Sequence, residues 1–365
     1  MENVKRNFGF GCMRLPMKDG EVDKDEFNRM IDTFIQEGFN YFDTAHGYLE
    51  GKSEKAIKEC LVARYDRSSY VLANKLSDWF FQSEEEVRPL FEQQLQLCGV
   101  EYFDFYLFHA LNRKSYQKHK DCNTFEIVKQ LRDEGKIKHI ALSFHDTADV
   151  LDMILSEQPQ IEAVQLQINY LDYDDPNVQS KACYDVAEKH GKKVIVMEPV
   201  KGGALVNLPP PAIAEFAALG DAAPVSYALR YAASFPNVFM VLSGMGDMQM
   251  MKSNLDTMYP FKPLNAQELA ATDRAREIIR QYKQIPCTKC NYCAEVCPIH
   301  VPISELFAVY NEYALAHDSR SQTAQKLAAF DVKASDCMEC GACENICPQN
   351  IDIRERLKKL TKFKQ

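Results

Sequence analysis

Residues 40–45, "NYFDTA", form a short apolar run ending in polar residues, and the segments around it decide the fold. Just upstream, Phe27, Met30, Ile31, Phe34 and Ile35 follow i, i+3, i+4, i+7, i+8, which puts one apolar stripe on a helix. Seven more runs read as strands: "FGFGCMRL" (8–15), "YVLANK" (70–75), "YFDFYLFH" (102–109), "IKHIALS" (137–143), "EAVQLQIN" (162–169), "KVIVMEP" (193–199) and "NVFMVLSG" (237–244). Helical patterns separate them. Ser83 and Glu86 stand at capping-box spacing before Val87, Leu90, Phe91 and Leu95, and "FEIVKQLRDEG", "VLDMILSE", "VSYALRYAA" and "MQMMKSNL" supply further crossovers. Eight strands, each followed by a helix over roughly 250 residues, predict an α/β fold of the (β/α)8 barrel type. An open doubly wound sheet needs fewer strands and a glycine-rich first turn, and no G-x-G-x-x-G occurs.

After the barrel, "PLNAQELAATDRAREIIRQY" (263–282) reads as a long helix with Asn265 and Glu268 at capping-box spacing. We place the domain boundary near residue 280, giving a barrel over 1–280 and a second domain over 281–365. That domain opens with "CTKCNYCAEVCP" (287–298), echoed by "CMECGACENICP" (337–348). Each run is C-x2-C-x2-C-x3-C-P, the bacterial ferredoxin spacing, in which the fourth cysteine serves the other cluster. The expected sets are Cys287, Cys290, Cys293 and Cys347 on one [4Fe-4S] cluster, and Cys337, Cys340, Cys343 and Cys297 on the other. Paired C-x2-C units also build zinc sites, but zinc leaves the third cysteine of each trio and the following prolines unexplained. The stretch between the runs holds two helical patterns, "ISELFAVYNEY" (303–313) and "TAQKLAAF" (323–330), so this domain resembles the helical dicluster modules.

The chain has 365 residues, 46% hydrophobic and 26% charged, enough for a full core plus a smaller domain. A net charge of −9 argues against binding nucleic acid along an extended surface. No apolar run reaches bilayer length and "MENVKRNFGFG" lacks a signal-peptide core, so no membrane association and a cytoplasmic location are expected. There thiols stay reduced, and the 13 cysteines are not a disulfide framework. Cys12, Cys60, Cys98, Cys122 and Cys183 lie outside the two runs and read as buried small apolar residues. The basic tail "RERLKKLTKFKQ" reads as a solvated helix end, with docking of an acidic partner as the sharper alternative.

Functional residues of such barrels sit at the C-terminal ends of strands. Those ends give Asp43, Tyr48 in the loop beyond it, Lys75 and His109. A tyrosine, with a pKa near ~10, is a poor acid at neutral pH unless a cation stabilises its phenolate. Lys75 supplies that cation, Asp43 holds the lysine, and His109 orients a carbonyl oxygen. The tyrosine then protonates that oxygen as a hydride reaches the carbon. Singly, each residue has a plainer structural reading; together, at successive strand ends, they suggest catalysis.

These residues carry a resemblance to the aldo-keto reductases over residues 8 to about 260. "GFGCMR", "FDTAHGYLEGKSE", "ANK", "YLFH" and "ALRY" occur in the family's order, and the second follows its D-T-A-x-x-Y-x-x-G-x-S-E pattern. The resemblance implies reversible reduction of small aldehydes or ketones by NADP or NAD, with Asp43, Tyr48, Lys75 and His109 as the catalytic tetrad. It implies that Ser143 and Gln165 bind the nicotinamide carboxamide and that Gly11, Cys12 and Met13 line its approach. The loops at Pro199 and at Ser243–Gly244 would hold the diphosphate, and Asn254 would contact the adenine. Met197 stands where many members stack a tyrosine on the nicotinamide. The segment that usually grips the ribose 2′-phosphate is "SGMGDMQMMKSN", with only Lys252 basic. Arg14 and Lys201 are further candidates to hold phosphate, with solvated charge as the plainer reading. The resemblance also places specificity in loops over the barrel mouth, here "HALNRKSYQKHKDCNT" (109–124) and the segment around "LPPPAI" (208–213). With the cysteine runs, the chain resembles the iron–sulfur branch of that family.

One difficulty follows. A nicotinamide moves a hydride, whereas each cluster passes one electron, and no flavin signature is visible. A bound flavin, an external redox partner protein and purely structural clusters all stay open. The alternative to an enzyme is an electron-transfer or docking protein whose barrel is a scaffold.

Overall fold

All eight apolar runs are strands in a computed structural model of the chain, which describes residues 1, 3–220 and 222–363. They are β1 (Phe8–Gly11), β2 (Tyr41–Asp43), β3 (Val71–Leu76), β4 (Phe103–Leu111), β5 (Ile137–Phe144), β6 (Ala163–Gln167), β7 (Lys193–Met197) and β8 (Val238–Gly244). Each pairs in parallel with its sequence neighbour and β1 pairs with β8, closing the barrel. Alternate residues, among them Tyr41, Ala73, Phe105, Leu107, Ala141, Ile195 and Leu242, form one buried cluster inside it. The residues between them, such as Phe42, Leu72, Tyr106, Ile140 and Val241, are buried too. Burial on both faces explains why the strands read as continuous apolar runs instead of alternating ones. At Gly9 a Cβ would lie 2.7 Å from Leu242 Cδ2 and 2.9 Å from Tyr41 Cδ1, so only glycine fits.

The helix expected before β2 spans Lys24–Gln36, is capped by Asp23 accepting from Glu26 N, and buries Phe27, Met30, Ile31 and Phe34. Fully burying each such side chain contributes about 1.5–3 kcal/mol. The helix expected at Ser83 begins there, spanning Glu84–Cys98, but the capping box does not form. Ser83 makes no capping bond, and Glu86 accepts instead from Gln82 N at 2.5 Å, one residue further back. The segment 109–124, read as a loop, holds a helix at Arg113–Asp121 with an Asn112–Ser115 capping box. A small hairpin, Met17–Lys18 with Glu21–Val22, was missed, although its turn Asp19-Gly20, with φ of +52° and +80°, is a strong hairpin signal.

This barrel belongs to a compact unit made of Met1–Pro199 and Ala228–Leu264. A second unit takes Val200–Tyr227 together with the chain from Asn265 onward. There "LPPPAI", read as loop, opens the helix Pro210–Ala217, which packs on Ala266–Arg280. Arg274 Nε donates to Glu215 Oε2 across that pair at 2.6 Å. The Asn265–Glu268 capping box forms as expected. Further on, Ile303–Ala314, Arg320–Ala328 and Ile353–Leu360 gather Leu306, Phe307, Leu327, Ile353, Leu357 and Leu360 into a core around Cys293 and Cys343. The basic tail is therefore more than a solvated end: one helical face is core. Residues 364–365 of that tail lie outside the described residues. No helix among the described residues is long and apolar enough to cross a membrane.

Candidate functional site

Parallel register sets the C-terminal strand ends at one rim: Gly11 is level with both Asp43 and Gly244, Ser143 with Gln165, and Gln167 with Met197. At that rim Lys75 Nζ donates to Asp43 Oδ1 at 2.6 Å and to Thr44 O at 2.8 Å, with the lysine 1% exposed. The same ammonium lies 4.7 Å from the centroid of the Tyr48 ring. That ring meets His109 edge-on at 6.1 Å between centroids. The structure thus brings Asp43, Tyr48, Lys75 and His109 together from three different strands and the loop after the first of them.

Burial pushes the Asp43 carboxyl up, and the Lys75 ammonium beside it pulls it back. Asp43 Oδ2 is buried and has no hydrogen-bond partner among the described residues. Burial, then the positive charge of Lys75, holds His109 well below the usual imidazole range, so the ring is neutral. Ser77 Oγ lies 2.5 Å from His109 Nδ1 and fixes the ring, and Trp79 packs against it at 5.1 Å.

A polar network beneath the lysine was not anticipated. Glu54, fully buried, accepts from Asn74 Nδ2 at 2.8 Å and meets His46 Nδ1 at 2.7 Å. Gln94 Nε2 donates to Asn74 Oδ1 and to Lys75 O, and Tyr106 OH donates to Gln94 Oε1. Ser53 Oγ donates to Cys12 O at 2.9 Å. The signal was the polar pair Ser53–Glu54 on a helix whose inner face is otherwise apolar. Nothing local in the sequence tied Asn74, Gln94 and Tyr106 to it.

The residues expected at a nucleotide fall along the same rim. Cys12 N donates to the backbone carbonyl of Asp43 at 2.8 Å, which ties the end of β1 to the residue that holds Lys75. Ser143 Oγ accepts from Ala110 N at 2.7 Å, and Ala110 itself has φ of +51° in the bulge after His109. Gln165 and Pro199 are buried, Met13 and Met197 half-buried. Asn254 Nδ2 donates to Ser243 Oγ at 3.2 Å, joining two of the expected contacts. Gly244 leaves room for Arg14, whose Cβ would stand 3.3 Å from an added methyl. Arg14 pairs with Glu198 at 3.8 Å, while Lys201 is buried, against the solvated reading.

In the second unit a pocket is lined by Cys297, Cys337, Cys340 and Cys343, with Ile299, Val301 and Met338. Cys293 is held high by burial and then by the nearby Cys290, Cys287, Cys347 and Cys343. Cys343 is pushed up to about 11 by burial, Glu344 and Cys337, with Cys297 adding to it. Cys297 thus lines a pocket with the second trio, while Cys293 has both Cys347 and Cys343 close by. The backbone repeats as well: Lys289 and Glu339 have φ of +57° and +56°, Asn291 and Gly341 +64° and +77°, His300 and Asn350 +53° and +49°. Eight thiols in these two runs fit two [4Fe-4S] clusters in ligand type and number. The five remaining cysteines are all buried.

A closed parallel barrel with a buried Lys–Asp pair, tyrosine and histidine at its C-terminal rim is the frame of a barrel oxidoreductase. The Aldo/keto reductase family model matches residues 7–277, and the chain belongs to that family. A 4Fe-4S dicluster domain matches residues 286–351. An aldo-keto reductase of Mycolicibacterium smegmatis is 28% identical over 55% of this chain and 66% of its own length. The NADH-specific methylglyoxal reductase of Escherichia coli is 25% identical over 53% of this chain and 62% of its own length. The chain thus spans about two thirds or less of these curated relatives. Among solved structures, an aldo-keto reductase from Bacillus halodurans in its holo form superposes with a TM-score of 0.61 at 24% identity, covering 74% of this chain and 92% of that one. One from Klebsiella pneumoniae in complex with NADPH gives 0.60 at 19%, covering 73% and 90%.

Proposed function

We propose that the barrel reversibly reduces a small aldehyde or ketone with NADPH or NADH, and that the eight cysteines hold two [4Fe-4S] clusters that exchange electrons with a redox partner. The observation that carries this reading is the buried ammonium of Lys75, 2.6 Å from Asp43 and 4.7 Å from the Tyr48 ring. A cation beside a phenol lowers the cost of forming its phenolate, which is what a proton donor to a carbonyl oxygen needs. Lys75 stays in place because Asp43 and Thr44 O hold it. Tyr48 delivers the proton, and neutral His109, steadied by Ser77, orients the carbonyl oxygen without competing as an acid. When bound, the nicotinamide supplies a hydride and each cluster passes a single electron. Ser143, Gln165 and the Ser243–Asn254 pair would hold the nucleotide along the rim. The NADH-specific relative and the NADPH-bound neighbour support a nicotinamide without choosing between the two.

The test is turnover of small aldehydes and ketones with NADPH and NADH by anaerobically purified protein, alongside its Tyr48→Phe variant. Loss of turnover with iron and sulfide content intact is expected. Full activity in the variant would sink the assignment, and turnover by neither form with either nucleotide would favour the scaffold alternative. Extraction of bound organic cofactor from the same preparation decides whether a flavin links hydride and electron chemistry.

A further inference from the structure

A helix that follows a barrel strand begins at the rim where the strand ends, so its first-turn amides and the positive end of its dipole face the site. Such a helix end is a ready place for a phosphate. The helix Met248–Met258, which follows β8, is placed in this way. Its first-turn amides, however, are already held by carboxylates. Asp247 caps the helix, with Oδ1 accepting from Met250 N at 2.7 Å. Glu26 comes from the helix Lys24–Gln36, 222 positions earlier, and its Oε1 accepts from Met248 N at 3.0 Å. The other oxygen of Glu26 pairs with Arg29. Of the other cations considered for phosphate on this side of the barrel, Arg14 pairs with Glu198, and Lys252 lies a turn further along the helix and is exposed. Two carboxylates therefore stand where a phosphate would bind.

We propose that Glu26 and Asp247 make this rim select NADH over NADPH, by closing the helix end to a ribose 2′-phosphate. This rests on the reading in which Ser243, Gly244 and Asn254 hold the nucleotide. The two nucleotides differ only at the 2′ position of the adenosine ribose, a hydroxyl in NADH and a phosphate in NADPH. A carboxylate accepts a hydrogen bond from the hydroxyl and repels the phosphate. With the Glu26 side chain only 18% exposed, that repulsion is screened less than it would be in open water. To enter, the phosphate would have to take Met248 N from Glu26 and then sit beside the displaced carboxylate. The segment "SGMGDMQMMKSN" shows only a shortage of basic residues. Glu26, supplied from a distant helix, shows that the place is filled.

The experiment is fluorescence titration of NADH and NADPH into the anaerobically purified full chain, beside Glu26→Gln, Asp247→Ser and the double variant. Glutamine keeps an acceptor for Met248 N and serine keeps a helix cap, so each change removes charge and little else. The wild-type protein should bind NADH about 10–100-fold more tightly than NADPH. The double variant should narrow that ratio, chiefly by tightening NADPH. Glu126→Gln, on the exposed side of the helix Thr124–Asp133, removes the same charge elsewhere and should leave the ratio unmoved. Equal or tighter binding of NADPH by the wild-type protein would overturn the selection and leave the nucleotide site standing. A ratio that the double variant does not move, or that Glu126→Gln moves as much, would also overturn it. Binding of neither nucleotide would overturn the selection and the nucleotide site together. Should the double variant fail to fold, the wild-type ratio and its change in Glu26→Gln decide, and no change there counts against the selection.

Discussion

The barrel rim and the cysteine region are both clusters of reactive side chains, but they are held in different ways. At the rim, Lys75, Asp43 and His109 are fixed by protein groups: Thr44 O, Ser77, and the Glu54–Asn74–Gln94 network. In the cysteine region the thiols themselves are part of the core, with Cys293 and Cys343 packed among Leu306, Phe307 and Leu357. A site scaffolded by hydrogen bonds should survive loss of its ligand. A core built of metal ligands should not.

Iron removal should therefore have the largest effect and separate the two regions. The second unit is expected to lose protease resistance and cooperative melting while the barrel keeps its far-UV circular dichroism; equal survival of both would erase the contrast. Next comes Tyr48→Phe, which should lower turnover by about 10²–10⁴-fold with unchanged iron, sulfide and melting temperature. Lys75→Met should strike both activity and stability, since it leaves the buried Asp43 charge unpaired. A loss of roughly 3–5 kcal/mol in urea unfolding is expected, and an unchanged midpoint would mean that the pair is not the buried anchor described above.

A further contrast is set by pH, with the chain itself unchanged. Burial holds His109 low, His145 at about 4 and His119 at about 3. An unfolded imidazole titrates near ~6.5. As pH falls below that value, the unfolded chain takes up protons that the folded barrel refuses, so stability declines from pH ~6.5 toward 4. The slope is roughly 1.4 kcal/mol per pH unit for each histidine kept neutral. Asp43, held high by burial, works in the opposite sense at the acid end of that window. Anaerobic urea titrations between pH 5 and pH 8 check this, and flat stability below pH 6 would contradict it.

Most of this frame was legible in the chain. The strands showed because each is buried on both faces, and the cluster of Asp43, Tyr48, Lys75 and His109 showed because strand ends are few and their polar residues conspicuous. The dicluster module showed because its two cysteine runs share one spacing. What stayed hidden depended on long-range contact. Ser83 has the right neighbour for a capping box, but Glu86 bonds Gln82 N instead. The helix Pro210–Ala217 carries three prolines before it or in its first turn and looked like a loop, until its partner Ala266–Arg280 gave it a face to bury. Glu54 gave no hint that its partners would be Asn74 and His46.

The assignment of residues 200–227 to the same unit as the chain from Asn265 onward has a consequence for dissection of the molecule. Excising everything after Leu264 would leave the Pro210–Ala217 helix without Ala266–Arg280. The excised piece would in turn lack Pro210–Ala217. No single cut yields two intact halves, so isolating the barrel unit calls for a spliced chain, in which a short bridge takes the place of residues 200–227.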